Sequence, residues 1–131
     1  MILIIGGFAQ GKLHYVKQRH VHCEDGREVV VLDGTLALPA GTGAGQVIVN
    51  HLHRYIREQL RQGTDPEAMI ENFGKEHPDC ILICDEIGNG IVPMEAEERT
   101  YRERTGRILE QLAAQADEVV RVVCGIGQKI K

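Results

Sequence analysis

The sequence predicts an α/β protein in which a mostly parallel sheet is flanked by helices. Residues 2–5, 29–32 and 80–84 are uninterrupted apolar runs, which are typical of strands buried on both faces. Segments with helical spacing separate these runs, and strands that alternate with helices pair in parallel through right-handed crossovers. A glycine-rich turn follows the first strand and precedes the first helix.

This turn, residues 6–12, fits the G-x-x-x-x-G-K core of the phosphate-binding P-loop. Glycines allow positive φ angles, so successive backbone N–H groups can face an anion, and the following helix adds its partial positive charge. Lys12 is the predicted catalytic cation, because it would reach the β- and γ-phosphates of GTP or ATP. The predicted nucleotide-binding residues are Gly6, Gly7, Phe8, Ala9, Gln10, Gly11, Lys12 and Leu13.

Leu13 departs from the P-loop pattern. The motif has Ser or Thr at this position, and its hydroxyl group ligates Mg²⁺. The alternative interpretation is a glycine-rich strand-to-helix turn of another α/β protein, with Leu13 facing the core. The loop therefore predicts phosphate binding, whereas Leu13 argues against efficient magnesium-dependent catalysis.

Two predicted strands lead into carboxylates. The run 29–32 is followed by Asp33, and the run 80–84 is followed by Asp85 and Glu86. Open parallel sheets bind ligands at the carboxyl ends of their strands. Asp33 and Asp85 are therefore predicted to hold Mg²⁺ directly or through water, and Glu86 is predicted to orient or deprotonate the attacking hydroxyl.

Helices are predicted between these strands. A short helix covers residues 13–19, and a polar turn over 20–28 leads to the second strand. After a glycine-rich loop at 39–45, a helix is predicted over 46–62, with one apolar face. This assignment places His51 and His53 on a helix surface, where residues two apart point in different directions. The predicted inner face consists of Ile48, Leu52, Tyr55, Ile56 and Leu60.

The C-terminal half continues the alternation. Asp65 and Pro66 predict the N-cap and first residue of a short helix that ends near residue 75. A long amphipathic helix is predicted over 95–116, a fourth strand over 117–123, and a short tail over 125–131. The predicted inner face of the long helix consists of Tyr101, Thr105, Ile108, Leu109, Leu112 and Ala116.

Length and composition indicate a single nucleotide-binding domain across the 131 residues. The net charge of −4 argues against nucleic acid as a partner, and no apolar run is long enough for a membrane span. The predicted strand directly after Met1 leaves no room for a signal peptide. The cysteines form no C-x-x-C pair, which favours a cytoplasmic protein without structural disulfides. They are Cys23, Cys80, Cys84 and Cys124.

Residues 84–131 carry a more specific pattern. It consists of Glu86, Gly88, Gly90-Ile91-Val92-Pro93, Tyr101-Arg102-Glu103, Gly106-Arg107, Gln111-Leu112-Ala113-Ala114, Ala116-Asp117-Glu118-Val119 and Gly125. In these residues the chain resembles the bifunctional adenosylcobinamide kinase/adenosylcobinamide-phosphate guanylyltransferase family of cobalamin biosynthesis. The loop 6–12 and the segment 29–36 also resemble that family, so the likeness covers roughly two-thirds of the chain.

The resemblance implies a RecA-like P-loop fold and a cytoplasmic homo-oligomer, often a trimer, that acts on a nucleotide and a corrinoid. It also implies two activities. One is phosphorylation of the aminopropanol hydroxyl of adenosylcobinamide. The other is transfer of GMP from GTP to the product, through a histidine-bound guanylyl intermediate.

The family carries that histidine in an Arg-rich segment between the P-loop helix and the next Asp-bearing strand. The interval is shorter here, and His22 is the candidate nucleophile, with an exposed turn histidine as the alternative. Kinase activity with a doubtful guanylyltransferase step is therefore the first hypothesis. The others are a catalytically degenerate nucleotide- or corrinoid-binding protein on the same scaffold, and an unrelated P-loop kinase.

Overall fold

A mostly parallel sheet of six strands lies at the centre of the computed structural model, which describes residues 1–21, 28–34, 38 and 45–131. The strands are β1 Ile2–Gly6, β2 Val29–Asp33, β3 Gln46–Asn50, β4 Ile81–Asp85, β5 Glu118–Val123 and β6 Ile126–Lys129. Their order is β2-β3-β4-β1-β5-β6, and β1 to β5 run parallel while β6 is antiparallel to β5. This sheet confirms the predicted α/β fold class.

Helices cover both faces of this sheet. Those in the described residues are α1 Lys12–Arg19, α2 Leu52–Arg61, α3 Pro66–Glu76 and α4 Ala96–Gln115. The start of α3 is as predicted, because the Asp65 side chain accepts hydrogen bonds from the backbone N–H groups of Glu67 and Ala68. In the described part of the chain, none of the helices has the length and apolar character needed to cross a membrane.

Side chains of the central strands alternate between two hydrophobic clusters. In β4, Leu82 and Cys84 join the cluster that also contains buried side chains of α2, α3 and α4. Ile81 and Ile83 join the cluster on the opposite face, together with Val16 of α1. The strand is therefore buried on both faces, which explains why its sequence is an uninterrupted apolar run.

The prediction of a helix over residues 46–62 is wrong in its first part. Residues 46–50 form strand β3, and α2 begins only at Leu52. Val47, Ile48 and Val49 are all buried, since helices cover both faces of this strand. A short β-branched run directly before an amphipathic helix also fits a helical period, and pairing with β2 and β4 decides in favour of a strand.

The predicted C-terminal tail is also a strand. Cys124 and Gly125 adopt left-handed φ angles of 50° and 77°, which is the geometry of a two-residue hairpin turn. Residues 126–129 therefore fold back as β6 along the edge of β5. The predicted turn over 20–28 and the glycine-rich loop at 39–45 lie largely outside the described residues.

Candidate functional site

The carboxyl ends of four parallel strands meet at one edge of the sheet. The register pairs Gly6 of β1 with Asp85 of β4, and it pairs Asp33 of β2 with Asn50 of β3. This is the edge at which open parallel sheets bind ligands. The glycine-rich loop therefore begins beside Asp85, one of the three carboxylates that the sequence singles out.

The glycine-rich loop is held in a curled conformation. Ala9 and Gly11 have left-handed φ angles of 54° and 80°. The carbonyl oxygen of Gln10 accepts a hydrogen bond from the N–H of Gly125 at 2.8 Å, and Gln10 Oε1 accepts one from the N–H of Cys124 at 2.7 Å. The β5–β6 hairpin thus anchors the loop, a role that the local sequence of these residues does not predict.

Lys12 forms a buried ion pair at this edge. The residue is 6% exposed, and its Nζ lies 2.7 Å from Oδ1 of Asp85, which is 8% exposed. Nζ also donates to the carbonyl oxygen of Gly7 at 2.6 Å and to that of Gly6 at 3.3 Å. The structure therefore brings together two residues that the sequence selected independently, one for phosphate binding and one for metal binding.

Two histidines that were predicted to lie on a helix surface lie at the sheet edge, and His53 does so from within α2. His51 is the N-cap residue of α2, with a left-handed φ of 58°, and its Nδ1 lies 3.0 Å from Oδ2 of Asp33. His53 Nδ1 accepts a hydrogen bond from the backbone N–H of Asp85 at 3.2 Å. Burial lowers the pKa of His53 despite the opposing charge of Asp85, so its ring is neutral at pH 7.

These histidines were missed because β3 was missed. His51 follows β3 directly and His53 lies in the first turn of α2, and residues just after a parallel strand lie at the ligand-binding edge of the sheet. Recognising residues 46–50 as a strand would have placed His51 and His53 beside the predicted carboxylates.

A cleft of about 400 Å³ opens beside the loop and the strand ends. Its lining residues are Phe8, Ala9, Gln10, Gly11, Lys12, Leu13, His14, Asn50, His51, Arg54 and Asp85. This volume lies in the range typical of small-molecule sites. Six of the eight predicted nucleotide-binding residues line the cleft, whereas Gly6 and Gly7 instead supply the carbonyl oxygens that bind Lys12.

The residues expected to hold Mg²⁺ do not fit a protein-held magnesium site. Leu13 offers no hydroxyl group and packs partly against the cluster on the α1 face. Asp85 is paired with Lys12, and Asp33 contacts His51. Within residues 1–21, 28–34, 38 and 45–131, no group of three or more His, Cys, Asp or Glu side chains is arranged to hold a metal ion. We therefore assign no step of a reaction to magnesium.

One other predicted residue, Glu86, is not brought into the cleft. Glu86 accepts hydrogen bonds from Nε and Nη2 of Arg121 at 2.7 and 2.9 Å, so both of its carboxylate oxygens are engaged. Its backbone N–H donates to the carbonyl oxygen of Gly6 at 2.9 Å, which fixes it at the base of the loop. His22, the candidate nucleophile, lies outside the described residues.

The mostly parallel sheet, its flanking helices and the glycine-rich loop at the carboxyl edge define an α/β protein of the P-loop NTPase-like class. The chain belongs to the cobinamide kinase / cobinamide phosphate guanyltransferase family, whose model matches residues 42–130. This match confirms the family that the sequence resembles. It includes the strand ends at Asn50 and Asp85, while the loop 6–12 precedes the matched residues.

Two curated relatives show the same relationship over a shorter stretch. Each is named "Bifunctional adenosylcobalamin biosynthesis protein CobU", one from Salmonella typhimurium and one from Escherichia coli. Identity to each is 51% over 51 residues, which is 39% of this chain. The matched stretch spans only 28% of the length of each relative.

Proposed function

We propose that this protein binds GTP or ATP at residues 6–12 and transfers a phosphoryl group to the alcohol of a corrinoid in cobalamin biosynthesis. The observation that carries the proposal is the position of Lys12, whose side chain lines the cleft formed by the glycine-rich loop at the carboxyl edge of the sheet. The family supports cobinamide as the acceptor, because its description names a cobinamide kinase.

In this proposal Lys12 exchanges its carbonyl and carboxylate partners for the β- and γ-phosphates of the nucleotide. The curled backbone of residues 8–12 presents N–H groups to the same phosphates. Phosphoryl transfer requires mainly positioning and neutralisation of charge, and both are properties of a glycine-rich loop with a buried lysine.

The acceptor hydroxyl loses its proton as its oxygen bonds to phosphorus, and we assign His51 to take it. Nδ1 of His51 lies 3.0 Å from Oδ2 of Asp33, and a carboxylate can only accept, so Nδ1 carries the ring proton and Nε2 keeps its lone pair. Asn50 Nδ2 lies farther from the same nitrogen, at 3.3 Å, and since an amide nitrogen only donates, this contact is not a hydrogen bond in the tautomer that Asp33 selects. Glu86, which was predicted for this role, is held at both oxygens by Arg121.

A nucleotide- or corrinoid-binding protein without efficient turnover is the second candidate function. Leu13 favours it, because a leucine cannot supply the metal-ligating hydroxyl group of a P-loop. We restrict the catalytic proposal to the kinase step.

Calorimetric titration with GTP and with ATP, each with and without Mg²⁺, tests the binding part of the proposal. We expect wild-type protein to bind at least one nucleotide and Lys12→Ala to lose that binding. Lys17→Ala is the matched control, because Lys17 is exposed on the same helix. Folded wild-type protein that binds neither nucleotide, or Lys12→Ala that binds as well as the wild type, contradicts the proposal.

Transfer of labelled γ-phosphate to cobinamide separates the two candidate functions. Transfer by the wild type supports the kinase. Transfer that appears only in Leu13→Ser, or binding without transfer in both proteins, supports the binding protein. The same assay on His51→Gln tests the assigned proton acceptor, and we expect transfer to fall while nucleotide affinity is retained.

A further inference from the structure

Arg54 is a charged side chain that neither the family resemblance nor the loop motif singles out. It lines the cleft together with Lys12 and His51, and it is exposed to solvent. Its backbone N–H donates to the carbonyl oxygen of His51 at 2.8 Å, which places it in the first turn of α2. In the part of the chain that the structure describes, its guanidinium group makes no ion pair or hydrogen bond.

Four other arginines of the described chain are paired with carboxylates. Arg57 pairs with Glu98, Arg104 with Glu67, Arg107 with Glu103 and Arg121 with Glu86. Arg54 differs from this group in having no such partner, although its charge is close enough to the cleft to help lower the pKa of His53, behind the larger effect of burial. Its donors are therefore available to a ligand.

The cleft lacks positive charge that Arg54 can supply. The charge of Lys12 is offset by Asp85 at 2.7 Å, so this pair adds no net positive charge to the cleft. The neutral ring of His53 adds none either. A triphosphate brings several negative charges, and Leu13 removes the hydroxyl group with which a P-loop holds its neutralising cation.

Lys12 and Arg54 also reach the cleft from opposite sides of the sheet. Lys12 belongs to α1, whose Val16 packs in the cluster on one face, whereas Leu52 and Ile56 of α2 pack in the cluster on the other face. A ligand at the carboxyl edge therefore lies between the two cations. The planar guanidinium group is suited to bind two phosphate oxygens at once.

We infer that Arg54 binds the terminal phosphate of a nucleoside triphosphate held at residues 6–12, where it supplies positive charge that the missing P-loop hydroxyl and its cation would otherwise provide. This inference rests on the proposed nucleotide binding and deepens it. Its consequence is selectivity, because a diphosphate lacks the group that Arg54 contacts. Arg54 therefore makes the site discriminate triphosphate from diphosphate.

Calorimetric titration of the full chain with GTP, GDP, ATP and ADP in EDTA tests the inference. We expect Arg54→Ala to weaken triphosphate binding by roughly 10- to 100-fold, which is the effect of losing a charge-assisted hydrogen bond. Diphosphate affinity is expected to stay within roughly 2-fold, and Arg54→Lys to recover part of the loss. Arg61→Ala is the matched control, because Arg61 is exposed in the last turn of the same helix.

The outcomes separate this inference from the proposed function. If Lys12→Ala abolishes binding while Arg54→Ala binds GTP and ATP as the wild type does, the Arg54 inference is refuted and the nucleotide site stands. Equal losses for triphosphate and diphosphate also refute it, because they show a general effect of charge. If the folded wild type binds no nucleotide, the proposed function itself fails.

Discussion

Removing the charge of Asp85 is expected to destabilise the protein, because it leaves the buried ammonium group of Lys12 without its carboxylate partner. Lys12 is 6% exposed, and its only carboxylate partner in the described residues is Asp85, at 2.7 Å. Asp85→Asn keeps the shape of the side chain but removes its charge. Among the described residues, the ammonium group then has no carboxylate partner, and it keeps the carbonyl oxygens of Gly7 and Gly6 and a neutral amide oxygen as acceptors.

Breaking a buried ion pair by removing one partner costs about 3–5 kcal/mol. The two remaining carbonyl acceptors of Lys12 favour the lower end, so we expect Asp85→Asn to reduce the free energy of unfolding by about 3 kcal/mol. Lys12→Met is expected to cost a similar amount, because it leaves Asp85, 8% exposed, without its closest cation. The double variant removes both charges and is expected to cost at least about 2 kcal/mol less than the two single changes added together.

Urea unfolding of the wild type, the two single variants and the double variant measures this coupling. Glu103→Gln is the control, because Glu103 and Arg107 form an exposed i,i+4 pair that contributes less than about 1 kcal/mol. If the effects of Lys12→Met and Asp85→Asn on the free energy of unfolding are additive within about 0.5 kcal/mol, the reasoning that each buried charge is stabilised by the other is refuted.

Three further predictions concern the loop, a helix start and pH. Gly6→Ala is expected to lower stability by about 1–3 kcal/mol and to weaken nucleotide binding, because a Cβ there overlaps the carbonyl oxygen of Val122; urea unfolding and calorimetry measure both. Asp65→Ala is expected to cost about 1 kcal/mol in urea unfolding, by removing the N-cap of α3, and an unchanged midpoint would contradict this. The hydrogen bond from Arg104 lowers the pKa of Glu67 from 4.5 to about 2, so the stability that this pair contributes is present above pH 4.5 and lost as the pH falls towards 2. In Glu67→Gln the free energy of unfolding should depend less on pH in that interval. A variant whose free energy of unfolding changes with pH as steeply as that of the wild type would contradict this prediction.

Local sequence was sufficient to predict those elements whose burial or helix cap depends on a few adjacent residues. The runs at residues 2–5 and 80–84 became central strands because packing on both faces of the sheet removes most of their side chains from water. The run at 29–32 also became a strand, but the prediction that it is buried on both faces is wrong, because β2 lies at the edge of the sheet and Val30 and Val31 are exposed. Asp65 and Pro66 mark the start of α3 because a capping carboxylate and a missing N–H act within one turn. The loop 6–12 was recognisable because its glycines and Lys12 are adjacent in the chain.

Tertiary structure decided what depends on residues far apart in the chain. Residues 46–50 became a strand because β2 and β4 provide hydrogen-bonding partners on both sides, and a local pattern does not report on those partners. Because of that pairing, His51 contacts Asp33, His53 contacts Asp85 and Arg54 lines the cleft. The Lys12–Asp85 pair joins residues 73 positions apart, through the parallel register of β1 and β4. The sequence alone thus determined the fold class, the family and the position of the glycine-rich loop, whereas long-range strand pairing determined which charges surround that loop.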